Sequence, residues 1–191
     1  MSGCCGTEVR RAALAALFTT GLMVPVLASA EPAQLPAAIA AAGQTPIVTL
    51  HAEGAQLYEC KETGGKLSWT FREPIAALMQ DGRTVGRHYA GPTWEHTDGN
   101  AVIGKAAGSA PGATADDVAW FKLAVVGHRG GGTLAAATTV QRINTHGGAL
   151  SGACAERGAL RAVPYSADYV FLGGGERALP PGGAPRPPNK F

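Results

Sequence analysis

The stretch of this sequence richest in side chains able to do chemistry is His88-Tyr89-Ala90-Gly91-Pro92-Thr93-Trp94-Glu95-His96-Thr97-Asp98-Gly99. It gathers imidazoles, carboxylates and aromatic faces around a Gly-Pro bend. An imidazole beside a carboxylate can act as a general base when the groups come within hydrogen-bonding reach, about 2.6–3.2 Å. His88 is the candidate base of an extracytoplasmic hydrolytic enzyme, with Asp98 or Asp168 orienting it. His88, His96 and Asp98 also offer donor atoms that suit several divalent ions. Their spacing matches no compact ligand motif such as H-E-x-x-H, and no metal is expected. The competing reading is structural: His88 donates a hydrogen bond that fixes the loop, Trp94 packs over the sheet edge, and Asp98 caps the turn.

A second group, Gln141-Arg142-Ile143-Asn144-Thr145-His146-Gly147-Gly148, closes a long apolar run. Side chains two apart on a strand share a face, so Arg142 and Asn144 point the same way and can read a carboxylate or sugar hydroxyls. A structural ion pair, for instance between Arg142 and Asp168, is the alternative use. The candidate binding surface is therefore His88, Tyr89, Trp94, Asp98, Arg142 and Asn144, suited to a small polar ligand or a carbohydrate, and the first reading is a binding or envelope-associated module, with the hydrolytic enzyme as the alternative. Gly130-Gly131-Gly132-Thr133-Leu134-Ala135 has the G-x-G-x-x-A spacing of a dinucleotide site. That motif needs a helix after the glycines and a repeated βαβ context. Here Thr138, Thr139, Val140 and Ile143 favour a strand, so the glycines are assigned to a hairpin loop and no cofactor is expected. No G-x-S-x-G elbow occurs.

The elements that must position these residues read as short β-branched and aromatic runs between turn signals, as in antiparallel sheet. Runs at 47–50, 56–60, 67–72, 84–89, 101–107, 120–126, 133–143 and 163–172 are separated by Gly-, Pro- and Asp-rich turns. Residues 51–54 interrupt the first two runs, and 74–80 read as a helical turn or loop. The runs at 120–126 and 133–143 are expected to form the longest hairpin, at the centre of the sheet. In the last run Val163, Tyr165, Ala167, Tyr169 and Phe171 share one face, with Ser166 and Asp168 on the other. The fold class is all-β, an antiparallel sandwich or barrel-like arrangement of seven or eight strands over residues 46–172.

Composition agrees. Of 191 residues 46% are hydrophobic and 16% charged, too apolar for a disordered chain. Glycine and proline make up about a fifth of it, against a helical bundle. A net charge of +2 gives no bulk attraction to nucleic acid or anionic membrane.

Residues 1–30 read as a signal peptide. Arg10-Arg11 precede an apolar stretch from Ala12 to Leu27, and Ala28-Ser29-Ala30 offers a cleavage site after Ala30. The stretch is too short and too broken by Thr19, Thr20 and Pro25 to span a bilayer, so a secreted or periplasmic location is expected. Residues 31–45 form a lead-in segment with at most a short helix, and 173–191 a disordered Gly/Pro-rich tail. Cleavage removes Cys4 and Cys5. The remaining Cys60 and Cys154, 94 positions apart in an oxidising compartment, are expected to form a disulfide.

Several of these segments, in this order, resemble one family. They are Gly54-Ala55-Gln56-Leu57-Tyr58-Glu59-Cys60, Trp69-Thr70-Phe71 with Pro74, His88 to Trp94 with Asp98-Gly99, Gln141 to Thr145 with Gly147-Gly148, Cys154, and Val163 to Tyr169. The family is that catalogued as domain of unknown function 3455, secreted proteins of bacteria and fungi, and the resemblance spans roughly residues 45–172. It implies export, a β-rich domain and two cysteines at the family's cysteine positions, and it carries over no catalytic residue. Some fungal members bear a malate dehydrogenase label, which does not transfer to a chain without a Rossmann framework.

Overall fold

The computed structural model describes residues 35–174; the expected leader, the start of the lead-in segment and the tail from residue 175 lie outside it. Eight antiparallel strands follow one another: β1 (Thr45–Thr63), β2 (Lys66–Gln80), β3 (Arg83–Tyr89), β4 (Thr93–His96), β5 (Ala101–Ala110), β6 (Trp120–Arg129), β7 (Thr139–Gly147) and β8 (Leu160–Gly173). Each pairs with the next, and β8 pairs back onto β1 from Thr45 opposite Gly173 to Glu59 opposite Leu160. The all-β expectation holds, and of its two forms the sheet takes the ring-like one. Its inner face carries the core. On β8 the alternation read from sequence buries Tyr165, Ala167, Tyr169 and Phe171, which meet Leu50, Leu78, Trp94, Val102 and Val140 from other strands.

Four strand expectations are corrected. Thr93–His96, within the stretch read as a loop after Gly91-Pro92, form the short strand β4. Residues 51–54 do not interrupt β1, which runs unbroken for 19 residues. Gly54 lets it do so: a Cβ there would stand 2.1 Å from the Ile75 carbonyl oxygen on β2, so only a bare backbone permits the approach. Residues 74–80 are strand, with Ile75 to Met79 paired opposite Ala55 to His51. The β6–β7 hairpin is not the longest; its ladder covers only Phe121–Ala124 against Thr139–Arg142, and a closed ring has no central hairpin. Residues 133–138 leave the sheet because Leu134 and Ala137 turn inward, fully buried, and plug that end of the ring.

Outside the ring, Ala37–Ile39 form one 3-10 turn packed on β5 and β6. Its Ile39 is fully buried, and the Ile39 carbonyl accepts a hydrogen bond from Gln141 Nε2 at 2.6 Å. Lys122 Nζ donates to the Ala40 carbonyl at 3.0 Å.

Cys60 and Cys154 are bonded, with Cα atoms 5.9 Å apart. The bond holds the β7–β8 connection across the end of the ring opposite the plug. Along that connection Gly148 O accepts from Tyr58 Oη on β1 at 2.7 Å, and Gly152 O accepts from Trp69 N on β2 at 3.0 Å.

Candidate functional site

The lengths of the strands open the wall of the ring. β3 and β4 have 7 and 4 residues, against 15 in β2 and 10 in β5. The β3–β4 hairpin turns at Gly91-Pro92, reaching β2 only at Ala76–Gln80 and the first residues of β5. Beyond the hairpin, β2 and β5 have no strand between them. Pro74 sits on this stretch of β2, an edge position that tolerates a residue without an N–H.

Behind the opening lies a cavity of about 320 Å³, lined by residues of all eight strands and the Gly91-Pro92 turn. Phe71, Pro74 and Ala106 frame its entrance, and His88, Trp94, Phe121, Arg142 and Tyr169 form much of its interior. An adjoining cavity of about 300 Å³ shares Gln56, Phe71, Phe121 and Arg142. A cavity of this size has room for a small organic molecule.

Trp94 is 1% exposed and its ring lies flat against His88, with centroids 4.7 Å apart and planes 4° from parallel. Tyr169 meets both edge-on. Trp94 therefore does not pack over a sheet edge; the inward parity of β4 places it in the core. His88 Nδ1 lies 2.9 Å from the Thr93 carbonyl oxygen. A carbonyl only accepts, so Nδ1 carries the proton and fixes the hairpin, as the structural reading of the sequence has it. Burial pushes the His88 pKa down to about 3 against the opposing effect of the Thr93 carbonyl, with a smaller contribution from the Arg142 charge. The ring is neutral at pH 7, which leaves Nε2 as an acceptor.

Arg142 projects inward from β7. Its Nε and Nη2 donate to the Ala119 carbonyl at 3.0 and 2.7 Å, and its guanidinium stands 4.8 Å from the centre of the Phe121 ring. It makes no ion pair among the described residues; Asp168 binds elsewhere. Tyr165 and Tyr169 place their hydroxyls 3.4 Å apart, and burial raises the pKa of both, so they too stay neutral. Gln56, 1% exposed, lies beside Tyr165 but not in bonding geometry, and its Nε2 has no partner. The Trp94 Nε1 likewise has none.

Of the six residues read as one surface, the ring thus brings together His88, Trp94 and Arg142 and sends three elsewhere. Tyr89 alternates to the outside, where its hydroxyl donates to Glu95 at 2.6 Å and accepts from Arg129 at 2.6 Å. Asp98 sits at the plugged end. It caps its own turn by accepting from Asn100 N, and its other oxygen accepts from Thr133 N and Oγ1 at 2.8 Å. These bonds hold its carboxyl well below the usual carboxylate range. A Cβ on Gly132 would stand 2.4 Å from the same carboxylate, so the glycine-rich motif serves this clamp.

Asn144 does not share a face with Arg142. It adopts a left-handed backbone with φ 50°, next to a break in the β7–β8 register, and this turns its amide outward to Asp168 Oδ2 at 2.9 Å. Asp168 Oδ1 is taken by His51 Nδ1 at 2.8 Å. Neither Asp98 nor Asp168 therefore orients His88. Among the described residues no three His, Cys, Asp or Glu side chains cluster as metal ligands.

Sequence reasoning missed Gln56, Phe71 and Phe121. Gln56 carried one signal, a polar residue in step with Tyr58 and Cys60 on the buried face of a strand. Nothing local marked Phe71 or Phe121 as lining a cavity.

The fold and site define a class: an up-and-down ring of eight antiparallel strands, stapled by a disulfide, with an aromatic cavity open through its wall. A family model described as protein of unknown function (DUF3455) matches residues 41–173, more than half of the chain. The chain belongs to that family. No curated protein and no solved structure gives a significant match. Among the described residues no helix is long and apolar enough to cross a membrane.

Proposed function

We propose that this is an exported binding module that admits one small organic ligand to its cavity through the opening between β2 and β5. The observation that carries the reading is the aromatic cavity open through the wall of the ring, two of whose lining residues, Gln56 and Trp94, hold buried N–H groups without partners. A buried donor without an acceptor costs about 1–3 kcal/mol, and a ligand acceptor offsets that cost. Eight antiparallel strands enclose about the volume of one small ligand. Export is supported by the leader pattern of residues 1–30 and by a disulfide, a bond that persists in oxidising compartments.

Hydrolysis by His88 and an aspartate is the weaker reading. The imidazole is engaged by Thr93, both aspartates are bonded elsewhere, and a base with a pKa of about 3 accepts a proton poorly at pH 7.

The test is a thermal-shift and tryptophan-fluorescence screen of the oxidised protein from residue 31. The probes are indole, 3-phenylpropanol, 3-phenylpropanoate and glucose, run beside an Ala106→Trp variant. Ala106 is exposed at the entrance, so its replacement obstructs the opening without disturbing the core. At least one probe should stabilise the natural protein, and the variant should lose that response. No response to any probe, or equal responses in both proteins, overturns the reading.

A further inference from the structure

We propose that the ligand is an anion, a small carboxylate with a flat apolar body, its carboxylate on Arg142 and its body against the His88–Trp94 stack and Phe121. The proposal rests on the binding reading and names the chemical class that the same cavity selects. Charge decides it. The 320 Å³ cavity is lined by two arginines, Arg72 and Arg142, and by no aspartate or glutamate among the described residues. Arg72 at the rim is matched by Glu73 at 3.2 Å and Glu59 at 4.0 Å. Arg142, half-buried, has a carbonyl, a ring face and the neighbouring Tyr169 hydroxyl, all uncharged.

No titratable group around Arg142 forms an ion pair with it among the described residues. His88 is neutral, and Tyr58, Tyr165 and Tyr169 are held in their protonated forms by burial. The one carboxylate in the adjoining cavity is Asp117. It accepts from Gly147 N at 2.6 Å through one oxygen, and from Thr114 N and Oγ1 at 2.9 and 2.8 Å through the other. A guanidinium has five N–H donors in a planar fork. The Ala119 carbonyl takes one at Nε and one at Nη2 and the Tyr169 hydroxyl lies beside the group, so at least two of the five donors remain for a ligand oxygen. A charged group removed from water is expected to be paired, and carboxylate is the partner whose geometry matches the fork.

The body of the ligand follows from the rest of the lining. Trp94, His88, Phe121 and Leu123 offer flat and apolar surfaces, and the polar groups among the lining residues are mostly donors, with Arg142, Gln56 Nε2 and Trp94 Nε1 against His88 Nε2 and the Gln56 amide oxygen as acceptors. A sugar, with a hydroxyl donor on nearly every carbon, would find few acceptors here. An ammonium ligand would meet an uncompensated like charge.

The experiment compares 3-phenylpropanoate with 3-phenylpropanamide by calorimetric titration of the oxidised protein from residue 31. The two probes share size and body and differ in charge. The carboxylate should bind at least tenfold more tightly, the low end of what a charge-assisted hydrogen bond contributes. In Arg142→Gln the carboxylate should fall to the affinity of the amide, while the amide changes less than twofold; Arg142→Lys should lie between. Equal binding of the two probes by the natural protein overturns the anion proposal and leaves the binding reading standing, and this comparison needs no variant to fold. A loss of both affinities alike in a folded Arg142→Gln also overturns it, because Arg142 is then only part of the wall. If indole or 3-phenylpropanol binds and 3-phenylpropanoate does not, the anion proposal alone fails; if no probe binds, both fail.

Discussion

His88 and Trp94 lie face to face, their rings 4.7 Å apart and within 4° of parallel, on paired positions of β3 and β4. The stack holds a short hairpin to the inside of the ring. Had the hairpin been as long as its neighbours, the wall between β2 and β5 would be closed. The same two residues therefore bound the cavity and leave its entrance open above them.

Because the His88 pKa falls from 6.5 to about 3 on folding, the unfolded chain takes up a proton between those values that the folded protein refuses. Stability is then fully present above about pH 6.5 and declines as the pH is lowered towards about 3, by up to about 1.4 kcal/mol per pH unit from this residue. His88→Phe keeps a flat ring but removes the titration. Urea unfolding at pH 7 and about pH 5 should show a shallower acid loss in the variant. At pH 7 the variant should be less stable by about 1–3 kcal/mol, because the Thr93 carbonyl loses its donor.

Breaking the disulfide should release the connection that spans the end of the ring opposite the plug. In the chain-entropy description a closed loop of 94 residues contributes about 4–5 kcal/mol. Cys60→Ser with Cys154→Ser should lower the urea midpoint accordingly. Hydrogen exchange should rise first at Trp69 and Cys154, whose amides bond across this connection.

The clamp at the plugged end predicts that Asp98→Ala and Gly132→Ala act alike. The first removes the acceptor of the Thr133 amide and hydroxyl, and the second drives a methyl into the carboxylate. Both should lower the melting midpoint and raise exchange in residues 133–138. Neither should alter the affinity of a ligand held at Arg142, which titration of the two variants would establish.

Asn144→Ala offers the complementary control. Its amide bonds Asp168 outside the ring, so the change should leave ligand affinity within twofold while Arg142→Gln abolishes the preference for a carboxylate. A large loss of affinity in Asn144→Ala would place that side chain in the site despite its outward geometry.

Much of the fold was legible locally. The alternation of Tyr165, Ala167, Tyr169 and Phe171 states which face of β8 is buried, because side chains of a strand alternate strictly. Asp98-Gly99-Asn100 announces a turn through an aspartate that caps its own backbone. The failures have particular causes. Pro74 and the alanines after it look like a loop, yet an edge beside an opening accepts proline. Residues 133–138 contain strand-forming threonine, yet burying Leu134 in the end of the ring outweighs that propensity. Parity along β7 predicts Asn144 on the face of Arg142, and one left-handed residue reverses that parity.

By itself the sequence determined the all-β class, the pairing of Cys60 with Cys154 and the alternation that buries β8, because composition, cysteine count and period-two patterning depend only on neighbours along the chain. Whether the strands closed into a ring, and which of His88, Tyr89, Trp94, Asp98, Arg142 and Asn144 met, was left to the tertiary structure. Those outcomes depend on the register and relative lengths of strands far apart in sequence, where shifting one residue exchanges the inside of the sheet for the outside.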